Sequence, residues 1–303
     1  MHRIAVVYNA RSGALASGSA EAEPVEDRLA DLFARRGIVA ELQAFEPATL
    51  PEDVRALLAH QPDAVIVAGG DGTIRSVAEY TAGSGVPLGV LPAGTMNLLA
   101  RDLGIPEETD AAVDALLAAP VQLIDVARVN GQVFLCSSAL AIMPHLGRIR
   151  ERSRGTIGLS LLRLWARAIR IWRRYPRMRL AVVVDGHEHV VRTRAMVVSN
   201  NPLTPRPGPP HRDHLDTGRL VVYVTRDRTR WDLLGIAAKV PTGTWLTDRR
   251  LRTYEGGTVQ VVSSRLRMMS VMNDGEIVQL EMPLRYDIQP RALAVLAPGT
   301  TTS

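Results

Sequence analysis

The sequence predicts a two-domain protein: an N-terminal α/β domain with a parallel sheet, and a second, mainly antiparallel β domain. Up to about Val121, short apolar runs of strand character alternate with helical patterns. A glycine-rich turn at residues 69–73 joins one of these strands to the next helix. Beyond Val121, hairpin signals such as Asn130-Gly131 lie between β-rich runs. The N-terminal alternation therefore predicts parallel βαβ units, with functional residues at the carboxyl ends of the strands.

Each element of the first domain has a local signal. Leu29, Leu32 and Phe33 form one apolar face of the first helix, which begins near Pro24 and ends at Gly37. The predicted strands are residues 4–8, 38–45, 64–68 and 87–91, and the later helices are residues 52–60, 73–80, 97–103 and 110–118.

The second domain is predicted from its turns. Hairpin turns are expected at residues 129–132, 185–186, 255–257 and 273–275. One long helix, residues 157–175, interrupts the β pattern and is stopped by Pro176. The proline-rich segment 202–210 is expected to form a surface loop near the mouth of a functional site.

Composition limits the classes of function. A chain of 303 residues that is 46% hydrophobic can bury a large core. The net charge of +5 favours anionic partners, such as nucleotides, nucleic acid or acidic lipid surfaces, without deciding among them. The single cysteine, Cys136, excludes an internal disulfide framework and a cysteine metal cluster, which favours a reducing compartment. Because no apolar run approaches the roughly 18 to 20 residues of a membrane span, a protein that is soluble or rests on a membrane surface is expected. The expected location is the cytoplasm.

The glycine-rich turn has the chemistry of a phosphate site. Gly69, Gly70 and Gly72 allow backbone N–H groups to converge at the start of a helix, where an anion is favoured. No Gly-Lys-Ser/Thr follows, so the turn is not a Walker loop. The carboxylate of Asp71 suits this place if it meets Mg²⁺ or a hydroxyl nucleophile.

Four motifs resemble one enzyme family. The run Gly69-Gly70-Asp71-Gly72-Thr73 is similar to the nucleotide loop of diacylglycerol kinases, sphingosine kinases, NAD kinases and, more loosely, phosphofructokinases. Residues 88–106, which contain P-A-G-T-M-N, resemble the second nucleotide motif of the diacylglycerol kinase-like lipid kinases in particular. N-A-R-S-G at residues 9–13 and N-D-G-E at residues 273–276 extend the resemblance over nearly the full length.

The resemblance implies an active site and a separate binding role for each domain. Residues 1–124, joined by a C-terminal strand within about 288–303, would bind ATP, and residues 125–287 would bind the lipid. Asp71 would act with ATP-Mg²⁺, Glu276 would be the general base that deprotonates the acceptor hydroxyl, and Asp125 would assist. The residues implied in nucleotide binding are Asn9, Ser12, Gly13, Gly69, Gly70, Asp71, Gly72, Thr73, Gly94, Thr95 and Asn97.

Structural interpretations of the same residues stay open. Asp71 could be a turn aspartate that caps a helix beginning at Thr73, and Thr95 could be the N-cap of the following helix. Glu276 could be an exposed hairpin acid, and Asp125 a simple strand-end acid.

The sequence also departs from the family pattern. Relatives carry Asp-Gly where this chain has Thr217-Gly218, and in bacterial members that aspartate helps to hold a structural Mg²⁺. A neutral hydroxyl is a poorer ligand for a hard dication than a carboxylate. The sequence therefore argues against a structural metal site near His214, Thr217 and Arg219. Further departures are Arg75, Ser76 and Leu98.

The predicted helix at residues 157–175 is strongly amphipathic. Its apolar side is formed by Leu161, Leu164, Trp165, Ala168, Ile169 and Trp172, and its basic side by Arg163, Arg167, Arg170 and Arg174. Two interpretations remain: a core-packing helix with a solvated arginine face, or a surface that meets anionic lipid at the inner membrane face. No nucleic-acid recognition motif accompanies the charge. Homodimer formation is left open.

The predicted function is an ATP- and Mg²⁺-dependent lipid kinase, with diacylglycerol as the favoured acceptor. One alternative is an NAD kinase-like or other small-molecule kinase. The other is a catalytically silent protein that binds nucleotide and membrane.

Overall fold

The computed structural model of the chain describes residues 3–10, 24–153, 159–229 and 231–298. These residues form two compact units. The first comprises Met1–Val126 with Pro290–Ser303, and the second comprises Ala127–Gln289. Asp125, which the sequence division assigned to the second domain, therefore lies in the first unit.

The first unit is an α/β layer structure on a parallel sheet. The strands are β1 (Arg3–Tyr8), β2 (Val39–Ala44), β3 (Ala64–Gly69) and β4 (Leu88–Pro92), in the order β2-β1-β3-β4. The helices are α1 (Val25–Ala34), α2 (Leu50–Ala59), α3 (Asp71–Thr81), α4 (Leu98–Asp102) and α5 (Thr109–Ala118). Every residue of β3 is buried, as expected for a central strand covered on both faces.

The second unit is built from antiparallel strands. One sheet contains β7 (Ser137–Ala141), β10 (Ala195–Asn200), β11 (Leu220–Thr225), β12 (Leu251–Gly256), β14 (Met268–Asn273) and β15 (Glu276–Glu281). The other strands are β6 (Gln132–Phe134), β8 (Met178–Val184), β9 (His187–Thr193) and β13 (Thr258–Val262), with the end of β5 (Val121–Val129) and the beginning of β16 (Leu284–Leu296), whose other residues belong to the first unit. One apolar core draws residues from both sets, such as Val198, Val222 and Val271 from the first and Val182, Val261 and Leu284 from the second.

Three helices lie between the strands of the second unit. They are α6 (Met143–Ser153), α7 (Leu159–Arg174) and α8 (Trp231–Ala237), and a short 3₁₀ helix spans Thr244–Thr247. The sequence patterns predicted α7 alone among these. No helix in the described ranges is long and apolar enough to span a membrane.

Two predicted elements, a hairpin of the second domain and the C-terminal strand, are wrong in detail. The expected hairpin at residues 255–257 is absent, because β12 pairs with β11 whereas β13 pairs with β8 and β16. The chain changes sheets there, and the Asp185 carboxylate accepts the N–H groups of Gly257 and Thr258 at 3.2 and 2.9 Å. The final strand begins before the predicted range of about 288–303, since β16 starts at Leu284.

Candidate active site

Three loops meet at the carboxyl ends of neighbouring parallel strands. The N–H of Asn9, just after β1, donates to the carbonyl of Ala68 at 3.0 Å. The N–H of Ala93, just after β4, donates to the carbonyl of Gly69 at 3.1 Å. The residues that follow β1, β3 and β4 are therefore held side by side, where ligands bind in open α/β sheets.

The glycine turn and the second motif pack backbone against backbone. A Cβ placed on Gly94 would lie 2.6 Å from the Cα of Gly70 and 2.9 Å from Oδ1 of Asn97. Real Cβ atoms do not tolerate such contacts, so the two turns can approach only because Gly94 has no side chain. The sequence motifs predicted both turns, but not this contact.

Asp71 links the two turns. Its Oδ1 accepts a hydrogen bond of 2.6 Å from the backbone N–H of Leu98, the first residue of α4. Helix α3 begins at Asp71 with Gly70 as N-cap, so the interpretation of Asp71 as the cap of a helix beginning at Thr73 is wrong. Its half-buried carboxylate lies in the first turn of α3, where negative charge is favoured.

The second motif is fixed by an asparagine. Asn97 has left-handed backbone angles and is 9% exposed, and its Oδ1 accepts the N–H of Gly94 at 2.9 Å. Asn97 is the N-cap residue of α4, so the interpretation of Thr95 as N-cap is wrong. The side chain of Thr95 is exposed at the tip of the turn.

The first loop reaches the glycine turn through Asn9. Its Nδ2 donates to Oγ1 of the buried Thr73 at 3.5 Å. A Cβ on Gly69 would lie 2.9 Å from Cβ of Thr73, so this part of the turn is also close-packed. The carbonyl of Gly72 accepts the hydroxyl of Ser76 at 2.9 Å. Ser12 and Gly13, also predicted to bind nucleotide, lie outside the described residues.

Asp125 is more buried than the acid at the end of a strand that the sequence suggested. It is fully buried in β5, and its Oδ1 accepts the N–H of Arg291 at 2.8 Å. Arg291 has a φ of +52°, a left-handed conformation that costs energy in a residue with a side chain. The carboxylate of Asp125 therefore holds β16 at a strained position.

Glu276 is exposed at the start of β15, in the second unit. It follows a tight turn in which Asp274 and Gly275 have φ values of +47° and +90°. The β14–β15 hairpin that carries this turn was predicted from the Asn-Asp-Gly signal, and the strand pairing confirms it.

The turn before Glu276 is anchored by a buried carboxylate. Asp274 is 4% exposed, and its side chain accepts the backbone N–H groups of Leu135, Cys136 and Ser137 at 2.6, 2.8 and 2.9 Å. Burial raises the pKa of Asp274 above its usual value, although these three hydrogen bonds and the charge of Arg212 act in the opposite direction. The rigid turn therefore fixes the backbone from which Glu276 projects.

Arg212 completes this anchor. It is 2% exposed, and its Nη1 donates to the carbonyls of Leu135 and Asn200, both at 2.7 Å. Sequence reasoning missed both Asp274 and Arg212 as anchors of this turn. The N-D-G-E motif contained a signal for Asp274, but nothing in the sequence marks Arg212 as buried.

The segment expected to lack a structural metal is held by hydrogen bonds. The backbone N–H and the hydroxyl of Thr217 donate to Oδ1 of the buried Asn201 at 2.9 and 2.6 Å. His214 and Arg219 are exposed. Among the described residues, no group of three or more His, Cys, Asp or Glu side chains could hold a metal ion.

Comparison with known proteins places these motifs in one family. The profile described as "Diacylglycerol kinase catalytic domain" matches residues 3–129. A second profile, "YegS C-terminal NAD kinase beta sandwich-like domain", matches residues 151–297.

The chain belongs to the diacylglycerol kinase-like lipid kinase family.

Individual proteins similar to this chain carry names from the same lipid kinase family. A diacylglycerol kinase of Mycobacterium tuberculosis is 28% identical over 252 residues, which cover 80% of this chain and 79% of that protein. A protein of Pseudomonas fluorescens named "Probable lipid kinase YegS-like" is 39% identical over 115 residues, covering 36% of this chain and 38% of that protein.

A solved structure supports the same fold. A diacylglycerol kinase from Bacillus anthracis matches with a TM-score of 0.73 at 17% identity, over 98% of this chain and 97% of that one. The predicted fold class, an α/β domain with a parallel sheet plus a mainly antiparallel β domain, is confirmed. The resemblance inferred from the motifs is likewise confirmed at the level of the family.

Proposed function

We propose that the chain is an ATP-dependent lipid kinase that transfers the γ-phosphoryl group of ATP to a lipid hydroxyl, with diacylglycerol as the favoured acceptor. The observation that carries the proposal is the joining of the glycine turn to the second motif by the Gly70–Gly94 contact and the Asp71–Leu98 hydrogen bond. In this arrangement the groups that can face a phosphate chain are backbone N–H groups and the carboxylate of Asp71, and the glycines place no side chain between them and the phosphates.

In the proposed reaction the first unit binds and orients the nucleotide. The glycines allow close approach of the phosphates, and the start of α3 favours their charge. The half-buried oxygen donor of Asp71 fits Mg²⁺, which prefers one or two carboxylates together with phosphate oxygens. When bound, Mg²⁺ would neutralise the charge that develops on the transferring group.

Glu276 is proposed as the general base for the acceptor. Its exposed carboxylate takes the hydroxyl proton as the acceptor oxygen forms a bond to the γ-phosphorus. The bond from that phosphorus to the bridging oxygen breaks, and ADP leaves with its electron pair. Asp125 has a positioning role in this proposal, since its carboxylate is buried against the backbone of Arg291.

The acceptor is proposed from the names of relatives. The Mycobacterium tuberculosis relative is called a diacylglycerol kinase, which favours diacylglycerol over monoacylglycerol, phosphatidylglycerol, sphingoid bases, ceramide and polyprenols. A second candidate is an NAD kinase-like activity, because the profile that matches residues 151–297 is described as NAD kinase-like.

The proposal places the protein in the cytoplasm, peripheral at the inner membrane face. Helix α7 offers exposed Arg167, Arg170 and Arg174 to anionic lipid, and Ile169 on the predicted apolar side is 54% exposed. The side chain of Arg163 lies outside the described residues.

A substrate panel tests the function. Purified full-length chain is mixed with ATP-Mg²⁺ and micelles of each lipid, or with soluble NAD, and ADP release is measured against an Asp71→Asn control. We expect ADP release that depends on diacylglycerol and is absent from the control. Turnover of NAD alone would favour the second candidate, and ATP binding without turnover on any acceptor would favour a catalytically silent protein.

A further inference from the structure

A cleft of about 570 Å³ lies within the second unit and is lined largely by arginine. None of its described lining residues is a proposed catalytic or nucleotide-binding residue. Its basic lining residues are Arg177, Arg192, Arg226, Arg228, Arg249, Arg250 and Arg252. Among the described lining residues, the acidic ones are Asp227 and Asp232. The cleft therefore carries a large local excess of positive charge.

Both aspartates are already engaged with other groups. The Asp227 carboxylate pairs with the side chain of Arg194, which is not among the residues lining the cleft. Asp232 pairs with Arg250 at 3.4 Å and accepts the N–H groups of Arg228 and Thr229. These aspartates therefore leave most of the arginine charge in the cleft uncompensated.

Five of the arginines have no side-chain partner among the residues that the structure describes. In the described part of the chain, no side-chain hydrogen bond or ion pair is formed by Arg192, Arg226, Arg228, Arg249 or Arg252. All five are exposed. Like charges gathered in one cleft repel one another, and an anionic partner relieves that repulsion. Guanidinium groups bind phosphate with two parallel hydrogen bonds, which favours a phosphate-bearing partner.

Arg250 holds one part of the cleft wall in place. Arg250 donates to both carboxylate oxygens of Asp248 at 2.9 and 2.8 Å, and these bonds lower the pKa of Asp248. A Cβ on Gly235 would lie 2.7 Å from Nη1 of Arg250, so helix α8 packs closely against this side chain. Arg250 therefore connects α8 to the start of β12.

Apolar groups accompany the charge. Val190, on the cleft wall, is 57% exposed. Trp231, the first residue of α8, is 70% exposed, and Leu234, one turn later on the same face, is 44% exposed. An exposed tryptophan beside arginines is typical of a surface that sits at the headgroup level of a bilayer. Nucleic acid would account for the charge, but not for exposed Trp231, Leu234 and Val190.

We propose that the arginine cleft and the apolar face of α8 form a docking surface for a bilayer containing anionic phospholipid. The cleft seats lipid phosphates, and Trp231 and Leu234 enter the interfacial region. This surface goes beyond the proposed kinase activity and differs from the arginine face of α7.

Vesicle sedimentation without nucleotide tests the proposal. The full chain is mixed with vesicles of phosphatidylcholine alone or with added phosphatidylglycerol, and wild type is compared with a variant in which Arg226, Arg228, Arg249 and Arg252 are all changed to Gln. We expect binding that requires phosphatidylglycerol, falls with salt and drops at least about 10-fold in the variant. A control variant changes four exposed arginines outside the cleft to Gln, namely Arg35, Arg55, Arg267 and Arg285, and is expected to bind as wild type does.

Further arms separate the alternatives. Trp231→Ala should weaken vesicle binding several-fold, whereas Val39→Ala, at a 75% exposed apolar residue of the first unit, should not. Circular dichroism and thermal unfolding establish that each variant is folded. The proposal is overturned if the cleft and control variants bind equally, if only the α7 variant (Arg163, Arg167, Arg170 and Arg174 to Gln) loses binding, or if the cleft binds an oligonucleotide and no vesicle. Because ATP is absent, these results do not depend on the proposed kinase activity.

Discussion

The Cα of Gly70 lies where a side chain on Gly94 would have to go, 2.6 Å from the position of a Cβ on that residue. We predict that Gly94→Ala separates the two turns and lowers the free energy of unfolding by about 1–3 kcal/mol, the usual cost of overpacking. ATP affinity should fall with it, because both turns are proposed to contact the phosphates. Thermal unfolding and nucleotide titration measure the two effects. Gly257→Ala is the control, since a Cβ there meets only Oδ1 of Asp185, at 4.0 Å.

Asp71→Asn should abolish turnover in a folded protein. Asparagine keeps an Oδ1 that can accept the N–H of Leu98, now held at 2.6 Å, but it loses the charge proposed for Mg²⁺. A loss of about 10²–10³-fold in kcat is expected for removal of one electrostatic contact to the transferring group. Asp287→Asn, at an exposed position of β16, is the matched control. Full activity in the Asp71 variant would remove this carboxylate from the mechanism.

Glu276→Gln should lower kcat by about 10²–10⁴-fold and leave ATP affinity nearly unchanged, because a general base acts on the acceptor hydroxyl. Initial rates at varied ATP and lipid separate the two effects. Glu281→Gln, at the other end of β15 and also exposed, should behave as wild type. A collapse of ATP affinity would instead assign Glu276 to the nucleotide or metal site.

Asp274→Asn should destabilise the second unit and reduce turnover. The Nδ2 group of asparagine would point at a backbone N–H that now donates to the carboxylate, and a buried donor without an acceptor costs about 1–3 kcal/mol. Urea unfolding and kcat are the measurements. Asp185→Asn is the control, because Asp185 also accepts backbone N–H groups, at 2.9 and 3.2 Å, but is exposed. Equal losses in the two variants would show that the burial of Asp274 is unimportant.

Thr217→Asp should lower the melting temperature in the absence of Mg²⁺. The new carboxylate would face Oδ1 of Asn201, which now accepts the threonine hydroxyl at 2.6 Å, so an acceptor would meet an acceptor. Thr217→Ser keeps the donor and should remain close to wild type. Mg²⁺ without nucleotide should leave the wild-type melting temperature unchanged. A clear rise in that temperature would indicate that this segment retains a metal site.

The sequence predicted the first unit well because its signals are local. The strand-turn-helix pattern around Gly69 and Asp71 fixes both the element order and the edge of the sheet at which the loops meet. The Gly70–Gly94 contact joins turns that lie 24 residues apart in the chain, and no local pattern reports it.

In the second unit the missed features depend on tertiary contacts. The Glu255-Gly256-Gly257 run has the composition of a hairpin, yet the chain changes sheets there, because the Asp185 carboxylate takes up the N–H groups of residues 257 and 258. The proline-rich sequence around Arg212 predicts an arginine at the surface. In the structure its guanidinium instead donates to the carbonyls of residues 135 and 200. Neither partner can be found from the residues that surround Arg212 in sequence.

The return of the chain to its first unit affects the order in which the protein can be made. Val295 of β16 pairs with Leu88 of β4, and Ala297 donates its N–H to the carbonyl of Pro120. Nearly the whole polypeptide must therefore be synthesised before β16 can pair with β4 in the sheet that carries the glycine turn. We expect that residues 1–126 expressed alone expose an unpaired strand edge at β4 and therefore aggregate. An added peptide of residues 284–303 should pair with that edge and keep the fragment soluble.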